Sequence, residues 1–201
     1  MDEGVDESKR ATLRRFAALG AASPFAGLVS ANEGSDSEAP GAIAGYVTAT
    51  PGAHFSKLRD DLKLGTGEAQ HHLRRLEDAG AIESRKDGDY RRYFPADRFS
   101  EFEQVALGYL RRETPRGMVI ALLRDPELTG NDLAAALDVS NPTVSKYAGE
   151  LERAGLLSRA DGYAVERPET LLMLLVRYAD SFGPEAVALA GEADSLVRYD
   201  A

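Results

Sequence analysis

The chain has 201 residues, of which 43% are hydrophobic and 7% aromatic, with neither tryptophan nor cysteine. This length suffices for one or two domains with their own cores, while the missing cysteines exclude disulfides and thiolate metal sites. No apolar run is long enough to span a bilayer, so no membrane partner is expected. The formal net charge is −9 and arginine outnumbers lysine, a balance typical of adaptation to high salt, where charge keeps a protein in solution.

Residues 1–39 predict an N-terminal helix followed by an acidic linker. Within residues 9–31, the pair Arg14-Arg15 precedes a weakly apolar, alanine-rich run. We favour an amphipathic helix here, with a flexible linker from Asn32 to Gly41. The alternative is a twin-arginine export signal, although Phe16 follows the arginines without the usual intervening residue.

Residues 40–98 predict a helix-turn-helix followed by a two-stranded hairpin. Apolar side chains recur at helical spacing in three segments, and Pro51-Gly52 separates the first segment from the second. We expect Thr66 to cap the third helix and Gly80 to end it in the left-handed conformation. Residues 81–94 then alternate in the manner of two strands around a tight bend.

Residues 99–168 predict a linker helix and the same order of elements again. The helical pattern over residues 98–112 is compatible with a bridge between the two copies and with a helix packed only within the second copy. In the second copy, we expect Thr129 to cap the second helix and Ser140 to cap the third, and we expect Gly155 to end that third helix. Residues 169–201 predict two further helices.

The two segments match without a gap at an offset of 75 residues. The matched pairs include Leu58 with Leu133, Leu62 with Leu137, Leu76 with Leu151 and Gly80 with Gly155. Internal similarity at a fixed offset indicates one structural unit used twice. A helix-turn-helix with a wing is the winged-helix unit. We therefore predict a mainly α fold with small β-wings, made of two tandem winged helix-turn-helix domains, an N-terminal helix and C-terminal helices.

The stretches FSKLRDDLKLGTGEAQHHLRRLEDAGAIESRKDGDYRRYFP and TGNDLAAALDVSNPTVSKYAGELERAGLLSRADGYAV resemble the archaeal winged helix-turn-helix regulators of the broad MarR/ArsR type. The resemblance covers roughly residues 40–168. It implies binding to double-stranded DNA, control of transcription and a cytoplasmic location, and it names no operator and no small-molecule effector. Such regulators often form homodimers through helices outside the winged core. Residues 169–201 are therefore one candidate interface, and a cap on the second copy is the other interpretation.

In these regulators the third helix enters the major groove, and the wing contacts the backbone or the minor groove. The candidate base contacts are Thr66, Glu68, Gln70 and His71, and the candidate phosphate contacts are Arg74, Arg75, Arg85, Lys86, Arg91 and Arg92. Three alternatives stay open. The Glu68 carboxylate interacts with the positive N-terminus of its own helix instead of a base, His71 is only an exposed, solvated side chain, and the wing is a solvated, charge-balanced hairpin.

The second copy departs from the family pattern at Ala148 and Gly149, where leucine and a basic residue are more usual. We therefore expect the first copy to be the principal DNA reader. The second copy is then a spacer, a second reader or a partner surface. As a second DNA site its candidate residues are Asn141, Thr143, Ser145 and Lys146.

The adjacent His71 and His72 do not predict a metal site. Neighbouring side chains diverge by about 100° on a helix, whereas helical metal pairs sit four residues apart. We expect His72 to be a packing residue. The sequence has no GxSxG, phosphate-binding glycine loop or HExxH motif, so we predict neither an enzyme nor a cofactor. The stronger alternative to a DNA reader is a winged-helix module that binds proteins.

Overall fold

The computed structural model describes residues 3–21 and 38–196, which fall into two compact units that divide between Ser100 and Glu101. The predicted linker from Asn32 to Gly41 lies mostly outside the described residues, as does the second half of the proposed export signal. The last four residues of that linker begin a helix, so the prediction of a flexible segment is wrong for residues 38–41.

The first unit is a winged helix-turn-helix with an additional N-terminal helix. Its elements are α1 (Glu3–Ala21), α2 (Glu38–Ala49), β1 (Ala53–His54), α3 (Phe55–Asp61), α4 (Thr66–Asp78), β2 (Ile82–Asp87) and β3 (Tyr90–Pro95). The antiparallel sheet has the order β1-β3-β2. We call the hairpin of β2 and β3 the wing; within it Arg85 lies opposite Arg92 and Lys86 opposite Arg91.

The core of the first unit forms where α2, α3 and α4 meet. Ile43, Leu58 and Leu73 are at most 1% exposed, as the helical spacing of the apolar residues predicts. The helix α1 joins the same core through Leu13 and through Phe16, whose ring meets that of Tyr46 edge-on at a centroid distance of 5.1 Å. The N-terminal helix is therefore part of the packed unit.

The N-terminus of α4 differs from the prediction by one residue. Gly65 is the N-cap, in an extended conformation, and Thr66 is the first helical residue. The Glu68 carboxylate accepts a hydrogen bond from the Gly65 backbone N–H at 3.1 Å. The prediction that Thr66 is the cap is wrong because glycine is also accepted at an N-cap, and here Glu68 supplies the side-chain bond. The predicted stop is confirmed by the positive φ of Gly80, +68°.

The second unit repeats the plan and adds C-terminal helices. Its elements are α5 (Glu101–Leu110), α6 (Glu113–Arg124), α7 (Gly130–Ala136), α8 (Asn141–Arg153), β4 (Leu157–Ser158), β5 (Ala164–Val165), α9 (Pro168–Arg177), α10 (Ala179–Phe182) and α11 (Pro184–Leu196). The predicted caps are confirmed: Thr129 accepts from the Asp132 N–H and Ser140 from the Thr143 N–H. No helix within residues 3–21 and 38–196 is long and apolar enough to cross a membrane.

The internal repeat is confirmed element by element. The helices α4 and α8 both have 13 residues and begin 75 positions apart. The turns before them contain a non-glycine residue with positive φ at equivalent places, Lys63 at 54° and Asp138 at 51°. The residue types give an uneven signal for this turn, because aspartate is enriched at positive φ whereas lysine is not.

Candidate nucleic-acid interface

The helix α4 buries one face and leaves the other open. Ala69, His72, Leu73 and Leu76 point into the core. The exposed residues of the helix are Thr66, Gly67, Gln70, His71, Arg74, Arg75 and, at its last position, Asp78. This division follows from the helical period, because the buried positions recur three and four residues apart. The structure therefore brings three of the four predicted base contacts and two of the six predicted phosphate contacts together on one open face of α4.

The side chains of Gln70, Arg74 and Arg75 are not used by the fold. None of the three makes a hydrogen bond or an ion pair with another residue in the described part of the chain. A glutamine amide and two guanidinium groups together present many N–H donors. Their donors are thus available to an acidic ligand placed against α4.

Glu68 is held by the protein. Its carboxylate binds Lys9 Nζ of α1 at 3.0 and 3.2 Å in addition to the Gly65 N–H. Burial opposes the charge and raises the pKa of Glu68, but the hydrogen bonds from Lys9 and Gly65 outweigh it, so the pKa is lowered from its ordinary value. The structure thus contains the helix-N-terminus interaction, which was one of the two alternatives for this residue.

The two neighbouring histidines have different environments. His72 is 5% exposed, which confirms the prediction that it is a packing residue, whereas His71 is exposed. Their rings meet edge-on at a centroid distance of 5.2 Å. Among the residues that the structure describes, no three histidine or acidic side chains are grouped so that they could hold a metal ion.

The four basic residues of the wing do not share one face. Lys86 and Arg91 are exposed and Arg85 is half-buried, but Arg92 is only 3% exposed. Arg92 forms an ion pair with Asp87 and donates from Nη1 to the Gly52 carbonyl at 2.9 Å. The prediction that Arg92 contacts DNA is therefore wrong. Successive strand residues point to opposite faces, a signal that could have separated Arg92 from Arg91.

The corresponding face of the second unit is less basic. Asn141, Ser145 and Lys146 are exposed on α8, while the Thr143 hydroxyl lies 2.8 Å from that of Ser140. The positions equivalent to Arg74 and Arg75 are occupied by Gly149 and Glu150. Glu150 forms an ion pair with Arg112 at 3.5 Å. The arginine pair of α4 therefore has no counterpart at the equivalent positions of α8, whose basic residues are Lys146 and Arg153.

Comparison with known proteins supports the helix-turn-helix architecture of both units. Residues 37–107 match a family model described as an N-terminal HTH domain, and residues 111–158 match one described as winged helix-turn-helix DNA-binding. The chain is also similar to an uncharacterized HTH-type transcriptional regulator from Methanocaldococcus jannaschii, at 31% identity over 121 residues. This alignment covers 60% of the chain but 30% of the relative. The chain thus carries two helix-turn-helix domains in tandem, the second of the winged DNA-binding type.

Proposed function

We propose that the protein is a sequence-specific DNA-binding transcriptional regulator, with α4 in the major groove and the wing against the adjacent backbone or minor groove. The observation that carries this function is the open face of α4, where the donors of Gln70, Arg74 and Arg75 have no partner among the described residues. A glutamine side chain can pair with adenine, and an arginine can pair with guanine or with a phosphate.

The residues on this face are assigned different roles. Thr66, Gln70 and His71 lie on the groove-facing side, as base contacts, while Arg74 and Arg75 contact phosphates and set affinity and register. The exposed basic residues of the wing extend the phosphate contacts beyond the helix; these are Lys86 and Arg91. The residues of α8 remain candidates for a second, weaker DNA contact.

Regulation of transcription is inferred from the relative, whose name describes a transcriptional regulator. Because the chain aligns with 30% of that protein, the activity of the whole molecule is part of our proposal. We also assign the chain to the broad MarR/ArsR type and to the cytoplasm, where its DNA target lies. The rival function is a protein-binding winged helix, which requires no exposed arginines on α4.

The test is selection of duplexes from a random pool by the full-length chain, followed by titration of the selected duplex at several salt concentrations. We expect Arg74→Ala with Arg75→Ala to lower the affinity at least tenfold. The slope of log K against log salt should become shallower by about 0.9 for each phosphate that the variant no longer neutralises. Arg98→Ala, an exposed arginine outside α4 and the wing, is the control and should change neither quantity.

Two outcomes would contradict the proposal, and each would reject a different part of it. A selected duplex whose affinity and salt slope are unchanged by the double substitution would refute the roles of Arg74 and Arg75 while leaving DNA binding intact. Absence of any enriched duplex, with weak binding that does not depend on salt, would favour the protein-binding module.

We further propose a homodimer formed through the C-terminal helices. Met173 and Val176 of α9 and Val187 of α11 are 43%, 36% and 46% exposed, and a partner copy would cover such apolar side chains. A two-fold dimer on a palindromic duplex requires its two copies of α4 to enter successive major grooves, about 34 Å apart. Light scattering should give the mass of two chains for the wild type and of one for Met173→Glu with Val187→Glu. A monomeric wild type at working concentration would contradict the dimer.

A further inference from the structure

A polar cluster ties the end of α4 to both strands of the wing. The Glu77 carboxylate, 20% exposed, accepts hydrogen bonds from the Ser84 hydroxyl of β2 at 2.5 Å and from Arg91 Nη2 of β3 at 3.1 Å. Arg91 also donates from Nε to the Ser84 hydroxyl oxygen at 2.6 Å. The three side chains therefore close a triangle, which we call the helix-wing latch.

The latch uses only part of the Arg91 guanidinium. Nε and Nη2 are engaged, but Nη1 makes no hydrogen bond to any residue in the described ranges, and the side chain is 62% exposed. The guanidinium is planar and carries five N–H donors in a fixed arrangement. One edge is consequently held by the protein while the opposite edge is available to a phosphate oxygen.

The second unit contains a related contact at the equivalent place. Glu152 lies 75 residues after Glu77, and it pairs with Arg159, which lies 75 residues after Ser84, at 2.6 Å. The serine of the first unit is thus replaced by the arginine itself. An acid near the end of the helix holds a hairpin arginine in both units; Arg91 lies in β3, whereas Arg159 directly follows β4.

We propose that Glu77 is a positioning residue that fixes Arg91 relative to α4, so that helix and wing contact duplex DNA as one body. This inference rests on the proposed function. An arginine that is already held in place loses less side-chain entropy when it binds a phosphate. The occupant of the open edge is a backbone phosphate next to the groove that α4 enters, because the ligand must lie within reach of both elements.

The decisive variant is Glu77→Gln, titrated with the duplex selected by the wild-type chain. Removal of a negative charge near DNA should by itself strengthen binding. A latch predicts the reverse, because the neutral amide of this variant no longer holds the guanidinium by charge, and we expect about fivefold weaker binding. Asp78→Asn is the matched control, since it removes the same charge from the neighbouring exposed residue of α4; its affinity should be unchanged or higher.

A double-mutant cycle shows whether Glu77 acts through Arg91. In an Arg91→Ala background, Glu77→Gln should cause no further decrease in affinity. Arg91→Lys supplies a second variant that leaves Glu77 in place. It keeps the charge, but its three donors share one nitrogen on a flexible stem and lack the fixed planar arrangement of the guanidinium, so its affinity should fall to a similar extent. Thermal unfolding monitored by circular dichroism checks that each variant is folded.

Three results would overturn the inference. They are unchanged or tighter binding by Glu77→Gln, equal decreases from Glu77→Gln with and without Arg91, and wild-type affinity in Arg91→Lys. Each of these leaves the DNA-binding function standing, because the wild type still binds the selected duplex. A wild-type chain that enriches no duplex would remove the proposed function and this inference together.

Discussion

Neighbouring arginines of the wing have opposite roles, and stability measurements should separate them. Arg92 is 3% exposed and bonded to Asp87 and to the Gly52 carbonyl. We expect Arg92→Ala to lower the free energy of unfolding of the first unit by about 3 kcal/mol, since removing one partner of a buried charged pair is costly. Arg91→Ala should lower it by less than about 1 kcal/mol because that pair is exposed. Urea denaturation of both variants measures this difference, and equal decreases would contradict it.

His54 predicts a pH dependence of stability. Its Nδ1 accepts the Lys57 N–H at the start of α3, and its ring lies 4.9 Å from that of Tyr90. Burial lowers the pKa of His54 from its ordinary value of 6.5, and the charges of Arg92 and Lys57 lower it further, against Asp60 and Asp61. The unfolded chain thus binds a proton at His54 more readily than the folded chain does. The contribution of neutral His54 to the free energy of unfolding is therefore complete above pH 6.5, and it is lost as the pH falls towards the lowered pKa.

The variant His54→Asn isolates this contribution. Asparagine is a good N-cap but does not titrate, so we expect the variant to keep the cap and to lose less stability than the wild type between pH 7 and pH 5. Urea midpoints at both pH values provide the measurement. Equal pH dependence in the two proteins would assign the effect to other groups.

At the residue scale, sequence reasoning succeeds where the helical period decides. The exposed face with Gln70, Arg74 and Arg75 follows from the leucines that must be buried opposite them. It offered the helix-N-terminus role of Glu68 but missed its partner Lys9, because Lys9 lies 59 residues earlier in the chain and local periodicity carries no information about it. The prediction that Arg92 contacts DNA was wrong for a different reason. It counted the basic residues of the hairpin without considering that successive strand residues point to opposite faces.

At the element scale, α1 is expected to stabilise the first unit as part of its core. Leu13 is 6% exposed, so Leu13→Ala should cost about 3 kcal/mol in the free energy of unfolding, from reduced burial and the cavity left behind. Leu19→Ala is the matched control on the same helix, because Leu19 is 47% exposed, and it should change stability by no more than about 0.5 kcal/mol. Both variants are compared by urea denaturation. Equal stability of the two would contradict the inference that α1 is part of the core.

The order of elements could be predicted because the repeat supplied two independent versions of each signal. The caps Thr129 and Ser140 and the stops Gly80 and Gly155 are local chemical features, and the structure has all four. The positive φ of Lys63 and of Asp138 could not be predicted in this way. A lysine rarely adopts this conformation, so its residue type gives no local signal at position 63.

At the scale of the whole molecule, the net charge of −9 predicts that salt stabilises the fold. Excess negative charge repels itself in the compact state, and the screening length falls from about 10 Å at 0.1 M salt to about 3 Å at 1 M. We expect the melting temperature at pH 7 to rise by several degrees over this range of KCl. Near pH 5, close to the isoelectric point of about 4.9, the repulsion is small and the rise should nearly vanish. Calorimetry at both pH values distinguishes this screening from a general salt effect, which would raise both melting temperatures equally.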